Sequence, residues 1–310
     1  MPRLSILVLA LISTILVTST GTAQTSRRER QMYVSVLDRE GAAVIGLGPA
    51  DFIVREDGIQ REVVSAEPAT VPMQIAILID TSVAATKAIR DIRVAVLDFV
   101  RQMHEQNEIT LITFGDRPSI LVESTSDFDK LKKGLNRTFA RPDTGSYFLD
   151  ALYNTTRGFL RRRASRPVIL AITAEGVEFS NHNRDRVLES LYSSGAALHT
   201  IVLGSGGAGV SAGRAERDRS IVLSEGSKTT GGRRDTLRVD SALKSKLEQT
   251  ANELSNQYLI GYVRPETLIP PKTTTVQVKN SALVARGNPV IKNDENLPQR
   301  RHILRGAANP

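Results

Sequence analysis

Residues 73–91 read "MQIAILIDTSVAATKAIRD": an almost unbroken apolar run that ends in Asp80, Thr81 and Ser82 and then turns helical. An apolar run without alternation marks a strand buried on both faces, as in a parallel sheet covered by helices. Behind it, "TKAIRDIRVAVLDFVRQM" (86–103) places Ile89, Ile92, Val96 and Val100 at helical spacing. The acid and hydroxyls sit at the carboxyl end of the strand, where open α/β sheets bind ligands.

The same alternation continues downstream. "EITLITFGD" (108–116), "PVILAIT" (167–173) and "ALHTIVLG" (197–204) read as further buried strands, and the amphipathic "PSILVESTSD" (118–127) reads as an edge strand. Between them lie helical patterns: "DFDKLKKGLNRTF" opened by a capping Asp127, "SYFLDALYNTTRGFLRRR", and "RDRVLESLYSSG" stopped by Gly195. Strands alternating with helices of this length predict an α/β fold with a doubly wound, mostly parallel sheet. Upstream, "MYVSVLD", "DFIVRED" and "QREVVSAEP" alternate with period two, and Asp57-Gly58 marks a hairpin. They form a small flanking β segment that must pack on something to be stable. Downstream of the core, "SIVLSEGSKTTGG" and "SALKSKLEQTANELSNQ" read as helices, and "TLRV", "YLIGYV" and "TTTVQVK" as strands.

The domain plan is then a signal peptide (1–23), an N-terminal β segment (24–70), an α/β domain (71–264) and C-terminal strands with a disordered tail (265–310). Arg3, the apolar run Leu4–Val17 and the small residues of "GTAQ" fit a secretory signal cleaved near Ala23, so a periplasmic or secreted protein is expected. The run is short for a membrane span, and an uncleaved anchor is the alternative. The Gly- and Arg-rich stretch 204–219, "GSGGAGVSAGRAERDR", reads as a mobile excursion from the α/β domain.

Composition narrows the function. The 310 residues carry a net charge of +8, no cysteine and no tryptophan, with only 5% aromatics. Absence of Cys removes disulfides, thiol nucleophiles and Cys-based zinc sites. The few aromatics argue against stacking platforms, and no nucleic-acid motif is present. Clustered arginines permit weak association with an anionic envelope surface, although charge runs are most often solvated faces. Gly204, Gly206 and Gly209 spell G-x-G-x-x-G but open no apolar helix, so the spacing lacks the context of a dinucleotide site. The four histidines, His104, His182, His199 and His302, show no ligand spacing.

What remains is oxygen chemistry at the strand ends. Asp80 and Ser82 follow the first buried strand, Ser146 opens a helix in "DTGSYFLDALY", and Glu175 follows the fourth strand in "AITAEGVEFS". In a doubly wound sheet these three loops converge on one edge. Carboxylate and hydroxyl oxygens suit a hard divalent cation.

This constellation resembles the von Willebrand factor A fold, in particular the bacterial family of VWFA-related domain proteins. "VSVLDREGAAVIGLGPADFIVREDG", "GSYFLDALY", "TTGG" and "LEQTANELSNQYLIGY" extend the likeness over residues 32–264. The family's metal-ion-dependent adhesion site has D-x-S-x-S after the first strand, a Thr at a later helix start and an Asp in an S-D-G loop. Residue by residue, Asp80 and Ser82 match, Ala84 replaces the second Ser, Ser146 takes the Thr position and Glu175 the Asp position. The resemblance thus implies a partly lost site with Asp80, Ser82, Ser146 and Glu175 as metal ligands for Mg²⁺ or Ca²⁺. It implies an exported, non-catalytic adhesion or scaffold protein whose protein partner offers an acidic side chain. The alternatives are a basic anion-binding envelope protein and a hydrolase using the Asp80–Ser82 loop, although no base for Ser82 is evident in these loops.

Overall fold

The structure is a computed structural model that describes residues 27–204, 213–265, 269 and 271–290. The expected signal peptide, the centre of the 204–219 excursion with its last two motif glycines, and the expected disordered tail beyond 290 lie outside the described residues.

Two six-stranded sheets make up the molecule. The first is antiparallel and consists of β1 (Arg27–Leu37), β2 (Phe52–Glu56), β3 (Ile59–Pro68), β10 (Tyr258–Pro265), β11 (Thr274–Val278) and β12 (Val284–Pro289), in the order β11-β2-β3-β10-β1-β12. The second consists of β4 (Gln74–Ile79), β5 (Glu108–Thr113), β6 (Ser119–Thr125), β7 (Pro167–Ala174), β8 (Ala197–Leu203) and β9 (Arg234–Leu237), in the order β6-β5-β4-β7-β8-β9. It is parallel except for β6, which runs antiparallel at the edge. From β4 the chain moves outward to β5 and β6 on one side, then crosses back to β7 on the other side of β4. The carboxyl end of β4 is therefore the switch point of the sheet.

The helices are α1 (Ile89–Met103), α2 (Phe128–Leu135), α3 (Phe148–Arg162), α4 (Arg184–Ser194), α5 (Arg214–Ile221), the short α6 (Ser227–Thr229) and α7 (Leu243–Ser255). Strand alternation assigns them to faces. Ile75, Ile77 and Ile79 of β4 share a core with Ile92, Val96 and Phe99 of α1 and Leu247 of α7. Ala76 and Leu78 share another with Phe148 and Leu152 of α3 and Leu191 of α4. With both faces covered, β4, β7 and β8 are buried almost throughout, which explains their unbroken apolar sequences. Asp127 caps α2 by accepting from Lys130 N, and Gly195 ends α4 in the left-handed region.

The antiparallel sheet has its own core of Met32, Val34, Val36, Phe52, Val54, Tyr258, Ile260, Tyr262, Val276 and Val278. Asp57 and Gly58 both take positive φ, forming the tight β2–β3 turn that Asp-Gly foretells. Tyr258–Pro265, assigned from sequence to the α/β domain, lies instead between β3 and β1 in this sheet. Its apolar run fits either sheet, and α7 turns it away from the parallel one. Val284–Pro289, in the segment read only as C-terminal strands and tail, pairs with β1. The 204–219 excursion is helical from Arg214, and Asp218 and Arg219 are buried.

Polar side chains join the two sheets. Arg166 is buried and donates to the carbonyls of Ala69, Val71 and Leu254 and to Gln257 Oε1, with its guanidinium 4.8 Å from the centre of the Tyr33 ring. Gln257 in turn donates to Ser35 of β1. A second junction places Arg286 of β12 2.5 Å from Glu253 of α7, with Arg233 4.0 Å from the same carboxylate. His199 of β8 is buried against this cluster with no partner for Nε2.

At the switch point the packing is closer still. Gly115 donates its N–H to Thr81 Oγ1, and a Cβ on Gly115 would lie 2.1 Å from the Thr81 carbonyl carbon and 2.3 Å from Ser82 N. Gly115→Ala must therefore displace the Asp80–Ser82 loop. We expect it to cost about 1–3 kcal/mol or more, read as a lowered thermal unfolding midpoint; an unchanged midpoint would contradict this packing.

Burial pushes the His199 imidazole down to about 4 from its ordinary value of 6.5. Between those two values only the unfolded chain takes up the proton. Stability is therefore fully present above pH 6.5 and falls as the pH drops towards 4, by up to about 3 kcal/mol. Urea midpoints measured across that window should fall more steeply for the wild type than for His199→Gln; parallel curves would refute the assignment.

Candidate metal centre

Asp80 is wholly buried just beyond β4. Its Oδ1 accepts from Ser82 N at 2.9 Å, and its Oδ2 accepts from Thr173 Oγ1 and Ala174 N, each at 3.0 Å. The β4 register places Ile79 beside Ile172, so the next residue along must meet the end of β7. A single carboxylate therefore closes the loop after β4 and ties it to β7. Ser82 follows in extended conformation before a 3-10 turn, Val83–Ala85, and its hydroxyl makes no capping bond.

Ser146 is held in the neighbouring loop. Its N–H donates to Val177 O and its carbonyl accepts from Phe179 N, both at 2.8 Å, so it forms a short bridge to the segment after β7. Two residues earlier, the Thr144 carbonyl accepts from Val83 N at 3.2 Å, stitching the loop of Ser146 to that of Ser82. The hydroxyls of Ser82 and Ser146 are both buried; that of Ser82 has no hydrogen-bond partner, and that of Ser146 has the Glu178 carboxylate beside it. Buried hydroxyls are nearly always satisfied, so the orphan Ser82 hydroxyl beside a buried acid calls for a ligand.

Glu175 behaves differently. It is exposed, and its carboxyl lies over Gly204, where a Cβ would come within 2.7 Å of it. Its charge acts on Arg234 of β9, whose guanidinium burial and the neighbouring Arg219 push down and Glu175 supports. The structure thus places Asp80, Ser82 and Ser146 in loops bonded to one another, and directs the Glu175 side chain towards β8 and β9. Ala84, at the family's second Ser position, sets its methyl against Gly176, where a Cβ would approach it to 2.7 Å.

Two buried charges in this region were not singled out from the sequence. Glu178 accepts from Ser180 Oγ at 2.5 Å and from Leu149 N at 3.4 Å, and its other oxygen lies 3.7 Å from Arg219 Nε. Burial raises the Glu178 carboxyl above the ordinary range, with Arg219 opposing. Arg219 comes from α5 and donates to Thr173 Oγ1, to Ala174 O at 2.6 Å and to Gly176 O at 3.3 Å. The sequence held a signal for it: Arg219 stands three and four residues before the buried Val222 and Leu223, on one helical face. His182, read as scattered, also falls in the loop after β7. Its Nδ1 lies 2.6 Å from Asp150 Oδ1, and its ring stacks on Tyr153 at 4.1 Å.

The donor set fits a hard cation. Asp80, Ser82 and Ser146 supply carboxylate and hydroxyl oxygens, and Asp80 Oδ1 accepts only the Ser82 N–H. No group of three or more His, Cys, Asp or Glu suited to a metal occurs among the described residues, so any such site here depends on hydroxyl oxygens. Around these loops stand exposed apolar side chains: Val83 at 52%, Phe139 at 61%, Val177 at 55% and Phe179 at 54%. Arg93 covers the Phe139 ring at 5.3 Å, and Arg141 pairs with Asp116 at 3.2 Å.

The profile of the von Willebrand factor type A domain matches residues 75–176, from β4 to just past β7. No curated protein has a sequence that matches this one. Among solved structures, proximal thread matrix protein 1 from the mussel byssus is similar at 14% identity and a TM-score of 0.50, over 65% of this chain and 50% of that one. This chain thus spans half the length of the mussel protein. A form of the same protein with a zinc-occupied MIDAS motif is 13% identical over 64% of this chain and 49% of that one, with a TM-score of 0.48. The vWF domain of the type V pili tip protein Mfa5 from Porphyromonas gingivalis is 12% identical over 60% of this chain and 96% of that domain, with a TM-score of 0.46. At these identities the likeness is one of fold. The matched segment covers the centre of the doubly wound sheet: within residues 75–176 the chain carries a von Willebrand factor type A domain.

Proposed function

We propose that this chain is an exported, non-catalytic protein-binding module of the adhesion or scaffold kind, docking its partner on the carboxyl edge of the parallel sheet. The observation that carries the reading is the unpartnered buried hydroxyl of Ser82 beside buried Asp80, with the buried Ser146 hydroxyl in the adjoining loop. These three residues would hold Mg²⁺ or Ca²⁺, with Glu175 reaching it only through water or after turning back from Gly204. A bound cation supplies positive charge for an acidic side chain of the partner. Val83, Phe139, Val177 and Phe179 give that partner an apolar rim, and exposed apolar groups gathered around one site mark interaction surfaces. Export rests on the leader-like residues 1–23, and weak attraction to an anionic envelope surface on the net charge of +8.

Calorimetric titration of Mg²⁺, Mn²⁺ and Ca²⁺ into the protein tests the site. Wild type should bind in the millimolar range or tighter, Asp80→Ala should abolish the heat, and Ala84→Ser, restoring an oxygen, should strengthen it. Binding that survives Asp80→Ala would place the cation elsewhere. Capture of envelope proteins on the immobilised chain should drop with Asp80→Ala and with Phe179→Ser alike. Capture indifferent to both would move the docking surface off this edge.

A further inference from the structure

A guanidinium stays charged at any pH a folded protein meets, so burying one requires acceptors arranged around it. Arg219, only 5% exposed, finds them all at the end of β7. Nη2 donates to Thr173 Oγ1 and to Ala174 O, Nη1 donates to Gly176 O, and Nε faces Glu178 Oε2 at 3.7 Å. The Thr173 hydroxyl accepts from Arg219 and gives its own proton to Asp80 Oδ2. A full positive charge thus stands one hydroxyl away from the acid on which a cation would rest.

The same helix fastens the loop a second time. Glu216 Oε1 accepts from Glu178 N at 3.2 Å, so α5 grips the segment after β7 through both Glu216 and Arg219. Meanwhile Glu175, at the position where the likeness expects an acidic ligand, lies over Gly204. The segment after β7 therefore turns Glu175 outward and Glu178 inward, and of the buried pair Glu178–Arg219 it is the cation that is hydrogen-bonded to Thr173 and through it to Asp80.

We infer that Arg219 is a built-in cation of this edge: it holds the strand-end loops in place without a metal and weakens divalent binding at Asp80, Ser82 and Ser146 by like-charge repulsion. This rests on those three residues being the cation donors. The docking edge then remains formed when divalent ions are scarce, and metal occupancy becomes an adjustment to the surface.

Binding of Mn²⁺, with free ion counted by electron paramagnetic resonance, separates the possibilities in wild type, Arg219→Gln, Arg219→Lys and Asp80→Ala/Arg219→Gln. Arg219→Gln should bind at least about tenfold tighter than wild type, because a like charge close to a divalent ion in a poorly screened site is strongly unfavourable. Arg219→Lys should stay near wild type, and the double variant should lose the gain. If Arg219→Gln does not fold in chelator, millimolar Mn²⁺ must restore its circular dichroism spectrum; failure to do so overturns the inference. Equal binding by wild type and Arg219→Gln overturns it while leaving the three donors standing. No binding by either removes both the inference and the donors. A gain in Arg219→Gln that the added Asp80→Ala change leaves intact would show that Asp80 is not the donor, and the inference falls with it.

Discussion

Everything at the functional edge depends on the three hydrogen bonds accepted by Asp80. They join the end of β4 to the end of β7 at the one place where the sheet changes direction, and they turn the chain so that Ser82 points inward. A buried carboxylate is costly unless its lone pairs are met, and here two backbone N–H groups and one hydroxyl meet it. Gly115 lets the loop lie directly on the end of β5, and Ser146 is pinned to the segment after β7 by its own backbone. The result is a cradle held largely by backbone hydrogen bonds, in which the Ser82 hydroxyl has no partner.

The parallel sheet was legible because burial on both faces leaves a blunt signature. Gln74–Ile79, Pro167–Ala174 and Ala197–Leu203 could hardly be anything else, and the acid ending the first of them marked the switch point. Side-chain direction was not legible. Glu175 and Glu178 are three residues apart in one loop, and no periodicity says which of them turns inward. Arg219 was hidden among five arginines between 214 and 234, a composition that reads as solvated; only its spacing from Val222 and Leu223 distinguishes it. Strand β10 falls inside the expected α/β domain, 71–264, yet pairs in the antiparallel sheet, because an apolar run carries no record of its partners. "VARGNP" had too little β character to announce β12, whose place is set by pairing with β1.

The antiparallel sheet is more than an appendage. Arg166 reaches from the start of β7 to the carbonyls of the β3–β4 connection and the end of α7, and Glu253 answers Arg286 on the other side. These contacts lie at the amino ends of the parallel strands, so the pole opposite Asp80 is where the two sheets are locked. A chain without cysteines has to make such a junction from hydrogen bonds and charge.

That junction gives the molecule a direction. The chain enters β1 near Arg27 and leaves β12 at Val290, whose N–H donates to the Gln31 carbonyl, so entrance and exit are neighbours on the antiparallel sheet. Strand β1 meets the α/β body through Tyr33 and Ser35, and Val290 lies beside Arg166 and Pro167 at the start of β7, the pole opposite Asp80. A tether at either end, or at both, would therefore hold the module by its base and turn the Asp80 edge outward. Pulling on two such tethers would load the β1–β12 pair and leave the Asp80 edge outside the line of force.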